Sequence, residues 1–306
     1  TLGNSSLRTS LSAKRPDAIR INMSKFAALQ FYALLKREVL EHRNIFIGAP
    51  AVLALLLLVA TAWVATQIDQ IQLAEGLRLV SVLFDGLSPF DMAPFVMLLA
   101  IPFYLTLYVC SIIYLINTLY QDRKEMSVLF WQSMPVSNLQ TVLSKIVAIV
   151  LVAPIFYVLI IFGMYLVAMV WLTVLGISND VDLVGIGYLF LAATASLVLI
   201  YISAVVTGIW LLPSIGWLLL FSAFAKKTPL LWAGGVFILV GFLEDFIFGT
   251  QFLANWVASR TSDPNQYLIF EFQSVFERVF NYDTLFGVVV GSILVAGAVF
   301  MRRFTD

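Results

Sequence analysis

The chain has 306 residues, 61% of them hydrophobic and only 12% charged, with 18 basic against 18 acidic side chains and a mean hydropathy of +0.96. Such a composition excludes a soluble globular domain, and a net charge of zero gives no ground for binding nucleic acid. One cysteine and one histidine exclude a disulfide framework and a histidine-built metal site.

Residues 1–22 are polar, rich in Ser and Arg, and lack the apolar core of a signal peptide, so they are expected to be a disordered tail or an expression remnant ahead of Met23. Residues 23–306 read as one transmembrane domain. From Met23 to Arg43 the pattern is that of an amphipathic helix lying on the membrane surface. Its acids Glu38 and Glu41, beside Arg37, are not explained by attraction to anionic lipid, which favours an all-basic polar face. They allow contact with a soluble partner as well as simple anchoring.

A membrane-crossing helix needs roughly 20 apolar residues. Runs over 44–68, 92–121, 141–176, 183–225, 228–248 and 284–302 meet that length, and they lack the period-two alternation of barrel strands. The fold class is therefore all-α, with six membrane helices. The long run 183–225 could hold one span or two. With six spans and both termini in the cytoplasm, nearly every Lys and Arg lies inside, leaving Arg78, Arg260 and Arg278 outside. A seventh span breaks that bias, so 183–225 is read as one element kinked at Pro213, where a helix hydrogen bond is lost. Cys110 falls mid-span and reads as packing.

Between the second and third spans the chain turns polar. It runs through Asp122, Arg123, Lys124 and Glu125, then the aromatic pair Phe130 and Trp131, then Pro135, and then Ser137 with Gln140 three residues on. The proline ends a short helix, and the Ser/Gln pair is a capping box that starts the next. Phe130 and Trp131 fit either an anchor in a partner's cleft or an aromatic belt at the lipid interface. On the outer side, Phe248 to Asp283 mixes aromatics with scattered charge and resembles interfacial helices. Glu244 and Asp245, at the end of the fifth span, are either solvated end groups or part of an outer pathway.

Three stretches carry a family resemblance. They are Leu34 to Arg43 with its Lys-Arg-Glu and Glu-His-Arg triplets, Leu119 to Lys145 with Asp-Arg, Phe-Trp, Met-Pro-Val-Ser and Ser-Lys, and Trp210 to Trp232 with Leu-Leu-Pro, Lys-Lys and Leu-Trp. From Met23 onward the sequence resembles the permease subunit of a bacterial type 2 ABC exporter. That resemblance implies six spans, an N-terminal interfacial helix, a cytoplasmic coupling helix and re-entrant outer helices before the last span. It also implies a permease dimer, by default of identical copies, in the bacterial inner membrane, and a cytosolic ATPase partner that binds ATP and Mg. Asp122, Arg123, Glu125, Phe130, Trp131 and Pro135 then map to the coupling element.

The chain itself has no Gly-x-x-x-x-Gly-Lys-Ser/Thr run, so no nucleotide cofactor is expected on it. Nor does it hold the residues of a catalytic constellation, so it is not expected to be an enzyme. A secondary transporter would call for an internal repeat and polar groups at mid-membrane, neither of which is evident. A membrane scaffold is compatible with the composition but leaves the polar segment after the second span without a purpose. The uncharged spans favour an amphiphilic or lipid-like cargo.

Overall fold

The computed structural model describes residues 15–124, 137–183, 185–261, 269–270 and 273–303, and every regular element among them is helical. Six helical segments are long and apolar enough to cross a membrane. A helix closes its own backbone hydrogen bonds, the condition for crossing hydrocarbon.

Helix α1 (Arg15–Glu41) leads through a π-helical turn at Asn44–Gly48 into α2 (Ala49–Gln67), the first span. Two shorter helices follow, α3 (Gln70–Phe84) and α4 (Pro89–Leu98), before the second span, α5 (Ile101–Lys124). The third is a single rod of α6 (Asn138–Val147), a π-helical turn (Ala148–Val152) and α7 (Ala153–Ser178). Next come α8 (Ile186–Trp210), α9 (Leu212–Phe224) and α10 (Pro229–Phe248). Then α11 (Phe252–Thr261) and α12 (Gln273–Val279) precede the last span, α13 (Tyr282–Met301). The path alternates so that α1, the ends of α5, α9 and α13 and the start of α6 meet at one end of the molecule, the charged end.

Prolines set many of these boundaries. Pro50, Pro89, Pro102, Pro154, Pro213 and Pro229 each occupy the first or second position of a helix, where a missing N–H leaves nothing unsatisfied. Two expectations change accordingly. The run 92–121 is not one helix, because α4 stops at Leu98 and α5 begins at Ile101, just before Pro102. The run 183–225 breaks at Leu211, two residues before Pro213, into a membrane-length helix and a 13-residue one. Two further differences lie outside the spans. Helix α3 was not foreseen in the connection after the first span, and α1 begins at Arg15, within the stretch expected to be a tail.

The capping box is present as expected: the Ser137 hydroxyl accepts from the Gln140 backbone N–H, and the Gln140 side chain accepts from the Ser137 N–H, both at 3.1 Å. Glu125, Phe130, Trp131 and Pro135 lie outside the described residues.

Small residues bring α9 and α13 into close contact. A Cβ on Gly216 of α9 would stand 2.8 Å from the Gly291 carbonyl oxygen of α13, and one on Gly291 would stand 2.6 Å from the Leu212 carbonyl carbon. Lipid tails are as apolar as leucine, so helices in a membrane associate through close packing of this kind. Around this contact an inner core of Phe46, Tyr114, Leu119, Val142, Ile215 and Leu219 joins α5, α6 and α9 to the turn before α2. A second core of Met97, Phe103, Tyr157, Tyr165, Leu197 and Ile200 occupies the other half.

Replacing Gly291 with alanine should destabilise the protein by about 1–3 kcal/mol, because the nearest atoms are backbone and cannot step aside. Gly241→Ala on α10, where a Cβ meets nothing within 4 Å, should not. Thermal unfolding midpoints in detergent compare the two variants, and equal midpoints would refute the close-packing account.

Candidate functional site

The largest set of buried polar groups lies at the charged end, and its sequence spacing explains how it forms. Tyr114, Thr118 and Asp122 recur every four residues along one face of α5, and Glu38 and His42 share a face at the end of α1. Lys145 projects from α6 into the space between them. Its ammonium donates to Glu38 at 2.9 Å and to Thr118 Oγ1 at 2.8 Å, and forms an ion pair with Asp122 at 3.3 Å. The Tyr114 hydroxyl donates to the second Glu38 oxygen at 2.7 Å. Asp122 also faces Arg37 at 3.4 Å and Arg302, just past α13, at 4.0 Å.

Glu38 and Lys145 are each 1% exposed and Asp122 and Arg302 each 5%, so two acids and two bases are sealed together. Arg37 continues the set outward through Glu41 at 3.0 Å.

Glu38 was expected on a polar outer face, free to meet lipid or a partner. It points inward instead, because Lys145 supplies the nearest opposite charge, without which burying its own would not be tolerable. Burial pushes its carboxyl up, but the charge and hydrogen bond of Lys145, the Tyr114 hydroxyl and Arg37 outweigh that and hold it below its ordinary 4.5. Beside it, His42 packs edge-on against Tyr114 with 4.9 Å between ring centres. Burial pushes the His42 imidazole below its ordinary 6.5 despite the pull of Glu38 and Glu41.

Arg123 has a different task from Asp122. Its guanidinium donates to the carbonyls of Ser222 and Ala225, both at 2.7 Å, and so caps the C-terminus of α9, where carbonyls lack intrahelical partners. The ends of α5 and α9 are thereby fastened together. In sequence Asp122 and Lys145 stand on either side of residues 125–136, and their ion pair joins α5 to α6.

At the opposite end the expected outer acids separate. Glu244 accepts from the backbone N–H groups of Phe252 (2.6 Å) and Leu253 (3.0 Å) and from Thr250 (3.0 Å), making it the N-terminal cap of α11. Asp245 beside it is exposed. The sequence reading missed Arg260, which it treated as one of the outer bases. Arg260 is 3% exposed, lies against the Trp210 and Trp256 rings at 4.2 and 4.6 Å, and donates to the backbone carbonyls of Trp210 and Asp283. It fits over Gly287, where any side chain would strike the guanidinium. Arg260 thus ties α11 to the α8/α9 break and to the first turn of α13.

Between the two ends lies a cavity of about 620 Å³, bounded by α5, the α6–α7 turn and α8 to α11, with α13 behind. Packing leaves it open because the break before Pro213 diverts α9, while Ala233 and Gly234 give α10 little to fill the gap.

No protein-family model, curated protein or solved structure matches this chain.

Lys145→Met would strand two buried carboxylates and should cost about 3–5 kcal/mol. Adding Glu38→Gln should restore part of that, since Asp122 keeps Arg302 and Arg37. Chemical unfolding in detergent measures both, and equal losses in the single and double variants would sink this assignment.

Acid should loosen the same cluster in two steps. The unfolded chain protonates His42 as pH falls through 6.5 while the folded chain resists, so stability is full above 6.5 and declines below it. Glu38, also held low, adds a second loss below 4.5. His42→Gln should remove the first step and leave the second in unfolding midpoints followed from pH 8 to 4.

Proposed function

We propose that this chain is the membrane-spanning permease subunit of an ATP-driven exporter, working as a dimer with a separate ATP-binding subunit. The observation that carries the reading is the ion pair between the two helices that flank residues 125–136 in sequence. That segment holds the Glu125, Phe130, Trp131 and Pro135 pattern of a coupling element, and Asp122 of α5 and Lys145 of α6 are joined at 3.3 Å. They are further tied to α1 through Glu38 and Arg37 and to the end of α13 through Arg302. A push on the segment is therefore delivered to several helices at once.

On this reading the charged end faces the cytoplasm of a bacterial cell and the partner carries ATP and Mg. Helices α11 and α12 are the re-entrant elements on the outer side. The exposed apolar length of α10 faces lipid or the second copy. The positive-inside bias supports this orientation, since Lys124, Lys226, Lys227 and Arg303 join the clustered bases at that end.

The tagged chain, extracted from its native membranes in mild detergent, should retain an ATP-hydrolysing subunit whose activity vanadate blocks. Trp131→Ala should release that subunit, or leave it bound with hydrolysis no longer tied to transport, while expression and thermal stability stay unchanged. Absence of any ATPase from every mild extraction would overturn the proposal.

A further inference from the structure

The cavity carries an inference about what the protein binds. Its lining holds no Asp, Glu, Lys, Arg or His. The polar side chains that do reach it are largely committed elsewhere. The Tyr104 hydroxyl donates to the Ile200 carbonyl (2.7 Å), the Ser111 hydroxyl to Leu107 (2.6 Å), and the Trp217 indole N–H to Ala233 (3.1 Å). The nearest buried cation, Arg260, has its charge spread over the Trp256 ring, which itself lines the space.

A charged molecule entering here would lose its hydration and find no counter-charge, whereas an apolar one loses nothing. The volume, about 620 Å³, lies within the range of small-molecule pockets. The hydroxyl oxygen of Ser111, on the wall formed by α5, has acceptor lone pairs that can take a hydrogen bond from a neutral head group.

We infer that this cavity is a binding site for an uncharged, single-chain lipid-like amphiphile. The inference deepens the exporter reading, on which it rests only for calling the occupant cargo. The binding itself belongs to the isolated chain.

Gly234 supplies the test. It lines the cavity and a Cβ there meets nothing within 4 Å, so a phenyl ring can be added without backbone strain and will occupy the site. Its neighbour Gly235 is equally open but does not line the cavity, and provides a matched control on the same helix.

The probe is a monoacylglycerol brominated on its chain, added to the purified chain in detergent, with quenching of tryptophan fluorescence as the readout. Trp217 and Trp256 both border the cavity. Quenching should saturate, should diminish in Trp217→Phe and Trp256→Phe, and should need about tenfold or more probe in Gly234→Phe but not in Gly235→Phe. The brominated fatty acid and alkylamine of the same chain length, charged at pH 7, should not compete.

If Gly234→Phe fails to fold, Leu253→Trp fills the same space from α11, and displacement of the probe's quenching is then read on that variant. Equal quenching by the charged analogues, or an unchanged curve in the cavity-filling variants, would mean general partitioning of lipid onto the surface and would overturn the inference. Neither result bears on whether an ATPase co-purifies, so failure of the site and failure of the exporter reading are told apart.

Discussion

The ammonium of Lys145 is the point on which the charged end of this protein depends. It contacts both buried acids, with hydrogen bonds to Glu38 and Thr118 and an ion pair to Asp122. A sealed ion cluster is weak evidence for stability in itself, because removing charges from water costs much of what their attraction returns. Its value lies in geometry. An apolar interface tolerates sliding and rotation, whereas Glu38, Asp122 and Lys145 are satisfied in one arrangement of α1, α5 and α6 only. The same constraint fixes the last span, since Arg302 must stand where Asp122 can compensate it.

That arrangement divides the molecule into a tightly interlocked part and a sparsely packed one. Around the cluster, side chains interlock across α5, α6, α9 and α13, and Arg123 pins the end of α9. Away from it, α10 buries little of itself inside the chain, and a cavity separates it from α5 over part of their length. The third span illustrates the scale. Its 41 residues give a rod of about 60 Å, roughly twice the hydrocarbon thickness, a single continuous helix that carries Lys145 near one end.

What could be read from the sequence follows from which physics is local. Span positions were legible because hydropathy is summed over a window, and the capping box because it needs only Ser137 and Gln140 in order. The disturbance at Pro213 was legible too, since a proline acts on its own helix. The matching break before Pro102 went unread only because the surrounding apolar run masked it. The inward face of Glu38 was not legible: an acid next to Arg37 and Glu41 looks solvated until Lys145, more than 100 residues away, is known to face it. The repeat of Tyr114, Thr118 and Asp122 at helical spacing was the one available signal, because polar groups sharing a face of a membrane helix imply something polar opposite. Arg260 gave no such signal, since its partners are backbone carbonyls and indole faces, which any sequence could supply.

The buried cations Lys145 and Arg260 also show why the cavity between them stays neutral. Lys145 is neutralised by carboxylates at the charged end, and Arg260 by carbonyl dipoles and ring faces at the other, each within its own set of contacts. Neither is among the cavity's lining residues. Charge is spent on fixing helices at the two ends, leaving a middle defined by shape and apolar surface. A neutral amphiphile can occupy such a middle without disturbing the electrostatic contacts at either end. A charged occupant would compete for those same contacts.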